Sequence, residues 1–307
     1  MLLERHALAM GAMSLIVAAQ AERLYAIMGP AKEQSGGSAA NTVAGIAALG
    51  GQAAYIGKVA ADQLGHVFTH DIRAAGVTYN TVPLPEGLST ARSLIFVTPD
   101  AQRTMQTFLG ATTQLGPEDV DMALITSSKV VYLEGYLWDQ PRAKSAMRDA
   151  AVRAQAAGVK VSLTLSDAFC VDRFRDEFME LVINHVDILF ANESEILSLY
   201  QTQSFDEAVR RVRTDCDIAA LTRSEHGSVV VRGDEVHAIP AERGVKVVDT
   251  TGAGDAYAAG FLYALTQGHD LPSCGRLGGV LAAEVISHYG ARLEGNIKAL
   301  AVSVLGR

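Results

Sequence analysis

The sequence predicts an α/β fold, a three-layer α/β/α sandwich with a parallel-rich central sheet and a small β lid. Three observations carry this reading. Short apolar, β-branched runs alternate with helical periods along most of the 307 residues, the pattern of strands joined by crossover helices. Two hairpin patterns interrupt that alternation and supply antiparallel pieces. Hydrophobic residues make up 49% of the chain and charged ones only 20%, which excludes disorder and leaves enough apolar surface for a large core. Glycine outnumbers proline 28 to 8, which favours tight turns over stiff linkers. Without repeats or a linker rich in Pro, Ser or charge, one domain over 1–307 is expected.

At the amino end, Arg5 and His6 followed by Ala7 to Ala19, with the triplet Ala19-Gln20-Ala21, imitate a secretory leader. Gly11, Ser14 and the amphipathic run Ala18 to Ile27 fit better a turn or strand that enters a surface helix. Ser38 to Leu49 reads as a helix, with Ser38 as N-cap and Gly50-Gly51 as the stop, before a strand from Ala53 to Gly57. Ser93 to Val97 and Thr104 to Leu109 flank the turn Thr98-Pro-Asp-Ala and form the first hairpin. Val130 to Leu133, Lys160 to Leu165, Asp187 to Phe190 and Ile218 to Thr222 are buried-strand patterns, separated by helices such as Gln140 to Ala157 and Asp172 to Asn184. A second hairpin, Ser228 to Val231 with Glu235 to Ile239, precedes a glycine-rich stretch, and three helices fill Ala253 to the end.

Composition excludes several partners. The net charge is −8, and no run of Lys or Arg occurs, so no face is basic enough to displace counterions from nucleic acid. No apolar stretch approaches the roughly 20 residues that span a bilayer. Cys170, Cys216 and Cys274 match neither a metal knuckle nor a redox pair by spacing, and read as reduced thiols of a cytoplasmic protein.

The chemistry concentrates near the carboxyl end. Val247-Val-Asp-Thr-Thr-Gly-Ala-Gly-Asp-Ala-Tyr-Ala-Ala-Gly-Phe261 places Gly252 and Gly254 between a strand end and an apolar helix. Such a turn aims backbone N–H groups and the positive end of the helix at an anion. Asp255 would repel that anion, unless it accepts a proton from a hydroxyl attacking a phosphate; otherwise it caps the helix. Neither standard nucleotide motif is present: Tyr257 stands where a dinucleotide fingerprint needs Gly or Ala. Gly51 to Lys58 is one residue too long for a P-loop, and Val59 replaces its Ser or Thr.

Asp249-Thr-Thr-Gly-Ala-Gly-Asp-Ala-Tyr-Ala-Ala-Gly-Phe-Leu262 resembles the carboxyl-terminal signature of the PfkB, or ribokinase-like, kinases. Ser35-Gly-Gly-Ser-Ala-Ala-Asn-Thr42 through Gly57-Lys-Val-Ala-Ala-Asp-Gln-Leu-Gly65 resembles the amino-terminal one, and Asn192-Glu-Ser-Glu195 the Asn-x-x-Glu element between them. Tyr132-Leu-Glu-Gly-Tyr136, Leu163-Thr-Leu-Ser-Asp-Ala-Phe-Cys170 and Val186-Asp-Ile-Leu-Phe-Ala-Asn-Glu193 are most similar to the adenosine kinase branch.

The resemblance implies ATP, Mg²⁺ and K⁺ as cofactors and a ribokinase-like sandwich with lid segments around 1–17 and 86–112. It makes Asp255 the general base, the amides of Gly252, Ala253 and Gly254 the anion hole, and Arg103 a lid arginine reaching the phosphate. On that footing Gly36, Gly37 and Asn41 hold the ribose, Tyr136 and Trp138 stack on a base, and Asn192, Thr222 and Gly227 meet the nucleotide. Glu195 then holds Mg²⁺ through water, although Asn192 and Glu195 also form a capping-box pair. Asp249 and Thr251 imply a monovalent cation site, completed by carbonyls of Ser287 to Gly290. Relatives usually begin with a buried strand and a sugar-gripping Asp, whereas Met1-Leu-Leu-Glu-Arg-His6 looks like the segment after that strand. The expected activity is phosphorylation of a nucleoside 5′-hydroxyl, adenosine foremost. A sugar kinase is the alternative, and a non-catalytic ligand-binding form the third reading. Oligomeric state is expected to be monomer or homodimer.

Overall fold

The computed structural model describes residues 13–306 together with His6, Leu8 and Met10. The leader-like Arg5 and Ala7, the opening Met1 to Arg5 and Gly11 lie outside the described residues. In chain order the elements are β1 (Met13–Leu15), α1 (Ala18–Ile27), α2 (Ser38–Ala48), β2 (Ala53–Tyr55), α3 (Gln63–Ala74), β3 (Val77–Tyr79), β4 (Arg92–Val97) and β5 (Arg103–Phe108). There follow α4 (Met122–Ser127), β6 (Val130–Glu134), α5 (Pro141–Ala156), β7 (Lys160–Thr164), α6 (Ala168–His185), β8 (Ile188–Asn192), α7 (Glu193–Tyr200) and α8 (Phe205–Asp215). The chain closes with β9 (Ile218–Thr222), β10 (Ser228–Arg232), β11 (Glu235–Ile239), α9 (Ala253–Thr266), α10 (Leu271–Val285) and α11 (Ile297–Leu305).

The central sheet has the order β11-β10-β9-β8-β7-β6, with β6 to β9 parallel and the β10–β11 hairpin antiparallel. Successive strand residues point to opposite faces, and both faces are apolar here because both are covered. Leu189 and Ala191 pack with Phe178, Leu181, Ile196 and Val212 on one side. Ile188 and Phe190 pack with Tyr257, Phe261, Leu277 and Leu281 on the other. The three-layer sandwich expected from the alternation is thereby realised.

The first hairpin forms the predicted antiparallel pair, β4 with β5, and β1 adds to β5 in parallel. These three strands make the small second sheet, while β2 and β3 pair separately. Ala18–Ile27 is a helix entered from the strand Met13–Leu15, the strand-then-helix order read from the sequence. No helix among the described residues is long and apolar enough to cross a membrane.

Two local expectations are corrected. The N-cap of α2 is Gly37, at φ 105°, and not Ser38; the Ser38 hydroxyl is engaged elsewhere. Trp138 is fully buried and stacks on Phe178 with ring centroids 5.2 Å apart, so it belongs to the core and faces no base. Cys170, Cys216 and Cys274 are all buried and unpaired. Burial pushes each thiol up to about 12, so none is a nucleophile at neutral pH.

Candidate active site

The carboxyl ends of the parallel strands open into one cleft of about 2280 Å³, at the edge where α/β sheets bind ligands. A cleft holding one small molecule is nearer 300–1,000 Å³, so this one has room for two. Of the residues singled out from the sequence, all but Trp138 and the Ser287 and His288 part of the later turn line it: Gly36, Gly37, Asn41, Arg103, Tyr136, Asn192, Glu195, Thr222, Gly227, Asp249, Thr251, Gly252, Ala253, Gly254 and Asp255.

Helix α9 starts at Gly252, whose φ of 80° suits glycine alone. A Cβ there would sit 2.7 Å from the Ala291 Cβ and 3.0 Å from its carbonyl oxygen, so the turn is both left-handed and closely backed. Among the described residues the amides of Gly252 and Gly254 find no acceptor, and nothing crowds Gly254. Only the Ala253 amide is engaged, with the Thr250 carbonyl at 3.4 Å, so the loop leaves two free donors at a helix N-terminus, suited to phosphate oxygens.

Asp255 does not cap its helix. Its Oδ1 accepts from the Ser38 hydroxyl at 2.7 Å and its Oδ2 from Asn41 Nδ2 at 2.8 Å. Both donors lie on the first turn of α2, which crosses α9 so closely that a Cβ on Gly45 would stand 2.7 Å from that of Ala259. Burial raises the Asp255 carboxyl, opposed by the bonds from Asn41 and Ser38 and by the charges of Arg103 and Arg292. Asn41 is itself buried, and its Oδ1 has no partner among the described residues. An unpaired buried acceptor costs about 1–3 kcal/mol; it is an open place for a hydroxyl donor beside Asp255.

Arg103 is no solvated hairpin charge: from β5 its Nη1 donates to the Thr250 carbonyl at 3.2 Å and hydroxyl at 3.0 Å. The lid thereby touches the loop that carries the bare amides. Asp249 is buried and closed on itself; its Oδ1 accepts from the Thr251 amide and hydroxyl at 2.9 and 2.6 Å, its Oδ2 from the Gly290 amide at 3.0 Å.

Asn192 and Glu195 form the full capping box at the start of α7. The Glu195 carboxylate accepts from the Asn192 amide at 2.9 Å and from Asn192 Nδ2 at 2.6 Å. Each oxygen keeps further lone-pair capacity toward the cleft, and burial pushes the group up to about 7. Thr222 ends β9. Gly227, at φ 80°, is held against the Ile239 carbonyl, 2.0 Å from where a Cβ would be, so glycine is required there by the turn itself. Lys58, the end of the imperfect P-loop pattern, is neutralised by Asp119 at 2.5 Å with both groups nearly buried.

Glu134, at the end of β6, was not foreseen. It lines the same cleft, 3.5 Å from the Ala39 amide. Burial and then the Asp255 charge push it up to about 7. Its sequence signals were its place in Tyr132-Leu-Glu-Gly-Tyr136, to which no role was attached, and its closing of an apolar strand.

Comparison with known proteins agrees with this geometry. The pattern of the pfkB family carbohydrate kinases matches residues 18–298. The chain is similar to the crystal structure of adenosine kinase from Sinorhizobium meliloti, at 55% identity and a TM-score of 0.95, over 98% of this chain and 92% of that one. It is as similar to a probable sugar kinase protein from Rhizobium etli CFN 42, at 54% identity and a TM-score of 0.95, over 99% and 92%. An uncharacterized sugar kinase of Archaeoglobus fulgidus is 30% identical over 249 residues, 81% of this chain and 96% of that protein. Matched over nearly its whole length and carrying an aspartate beside unpaired amides at a helix start, the chain belongs to the pfkB family of carbohydrate kinases, ATP-dependent phosphotransferases acting on a small nucleoside or sugar.

Proposed function

We propose that the protein transfers the γ-phosphoryl group of ATP to the 5′-hydroxymethyl of a nucleoside, with adenosine as the acceptor and AMP as the product. The observation that carries this is the Asp255–Asn41 pair: a carboxylate held by Asn41 and Ser38, with the Asn41 Oδ1 unpaired next to it. A hydroxymethyl group seated there gives its proton to Asp255 as its oxygen attacks phosphorus, while a neighbouring sugar hydroxyl donates to Asn41. Gly36 and Gly37 leave the backbone open to the sugar, and Tyr136 offers a ring face at the cleft wall for a base.

On the nucleotide side, the amides of Gly252, Ala253 and Gly254 receive the equatorial oxygens of the transferring group. Fixed donors in a site that excludes water are worth several kcal/mol there. Arg103 adds charge from the lid, whose described segments we assign to 13–17 and 86–112; the expected lid part in 1–12 lies largely outside the described residues. Asn192, Thr222 and Gly227 line the part of the cleft assigned to ATP. Bound Mg²⁺ would supply charge neutralisation of the phosphates, and Glu195 is the residue that would hold it, through water, by a free lone pair. Asp249, Thr251 and carbonyls of the 287–290 turn would hold K⁺, whose charge would steady the phosphate loop.

Adenosine is favoured by the 55% identity to a protein named adenosine kinase. A free furanose is the second reading, favoured by Glu134, a second carboxyl able to meet a sugar hydroxyl that a nucleoside lacks. A coupled ADP-release assay with Mg·ATP and potassium, offering adenosine, inosine, ribose and fructose separately, decides between them. Turnover on adenosine above the other three is expected. Preference for ribose or fructose would transfer the protein to the sugar kinases, and silence with all four would refute the kinase reading.

A further inference from the structure

The turn Tyr289–Arg292 lies between the two halves of the cleft and is bonded to both. On the phosphate side, the Gly290 amide donates to Asp249 at 3.0 Å, and Ala291 backs Gly252 at close range. On the acceptor side, Arg292 Nε donates to the Ser35 carbonyl at 3.2 Å and Nη1 to the Ala40 carbonyl at 2.8 Å. Lys32 fastens the same side, donating to the Tyr289 carbonyl and to Glu294, each at 2.8 Å. The two carbonyls taken by Arg292 bracket Gly36, Gly37 and Ser38, the stretch through which α2 presents its donors to Asp255. Arg292 is part-buried and does not itself line the cleft.

We propose that Arg292 is a positioning residue that sets the register of the acceptor loop, residues 35–41, against the phosphate loop. A planar guanidinium presents its donors in a fixed fork and so holds two carbonyls five residues apart in one geometry, whereas an ammonium on a flexible stem can meet two acceptors without fixing their relative placement. Its charge acts as well. The titratable and charged groups facing Asp255 are Arg103 from β5, Glu134 and Tyr132 from β6, Tyr136 from the turn after it, and Arg292. Of these, Arg103 and Arg292 are the cations that favour its ionised form, and only Arg103 lies on the lid.

The kinetic part of this inference rests on Asp255 being the base of the proposed kinase; the structural part does not. The test compares full-length Arg292→Lys and Arg292→Gln with the parent by amide hydrogen exchange, and by initial rates across pH. Exchange in 35–41 is expected to rise about tenfold in both variants, the equivalent of one lost bond to a charged group, with β9 unchanged. The acceptor KM rises by a similar factor while that for ATP stays put. The acid limb of kcat/KM moves up by about half a unit in the Gln variant alone, since Lys keeps the charge.

Unchanged exchange in 35–41, or exchange raised equally in β9, would overturn the proposal. An acid limb moved equally by Lys and Gln would overturn its electrostatic part. If the parent is inactive with every acceptor, the kinase reading fails, and the exchange comparison still judges Arg292.

Discussion

Replacement of Asp255 by Asn separates the base from everything else the residue does. The Asn side chain keeps the shape, and its Oδ1 can still accept from Ser38. Its Nδ2 would face the Asn41 Nδ2, but Asn41 carries an unpaired Oδ1. Turning that amide over lets it accept from residue 255, so no bond of the pair is lost in the variant. The substitution also removes a carboxyl that burial holds above its ordinary range. Such a group costs stability as pH rises above its unfolded pKa, so the variant should be as stable as the parent near pH 4 and more stable near pH 8. Turnover should respond in the opposite sense. A positioned general base contributes about 10²–10⁴-fold, so kcat should fall by that factor, about 3–5 kcal/mol of barrier. Initial rates of ADP release over a range of acceptor concentrations, with thermal unfolding at both pH values, measure the two effects together. A variant retaining kcat within a few fold would refute the assignment of the base. Loss of kcat accompanied by a lower melting midpoint would refute the amide-turning argument.

Glu195, pushed up to about 7 from an ordinary 4.5 by burial, makes the native state bind a proton that the unfolded chain has released between those values. Stability should therefore fall by up to about 3 kcal/mol as pH rises from about 4.5 to about 7, and Glu195→Gln should flatten that fall; urea unfolding of both proteins at pH 5 and pH 8 checks it, and an equal difference at the two values would contradict it. Gly252→Ala puts a methyl group 2.7 Å from Ala291 at a left-handed φ, so a loss of about 2–4 kcal/mol is expected in urea unfolding, together with loss of ADP release. Potassium should support faster turnover than a bulky organic cation at equal ionic strength, and equal rates would remove the cation from Asp249 and Thr251.

Much of the scaffold was legible because its signals are local. Ile218–Thr222 and Ala18–Ile27 stand where the apolar patterns put them, and the β4–β5 hairpin forms around the turn chemistry of Thr98 to Ala101. The cleft residues were legible through two glycine-rich signatures whose backbone geometry few other residues can adopt. What escaped depends on contacts far along the chain. Ser38 is a sound N-cap by local rules, yet its hydroxyl reaches Asp255, 217 residues away, and a glycine takes the cap. Trp138 follows a strand as a rim aromatic would, but Phe178, on another helix, draws it into the core. Arg292 carries no motif, and Glu134 lay inside Tyr132-Leu-Glu-Gly-Tyr136 with no role attached to it. Their surroundings are set by β6 meeting α2 and by the final turn folding back over the acceptor loop.

The three buried cysteines have a practical consequence. With every native thiol shielded and held protonated at neutral pH, the protein is close to blank toward maleimides and related reagents. One cysteine introduced at the exposed Asp100, on the tip of the lid hairpin, would then be the single reactive handle. A fluorophore placed there would read the surroundings of the hairpin tip with and without nucleotide, without first stripping the chain of its own sulfur.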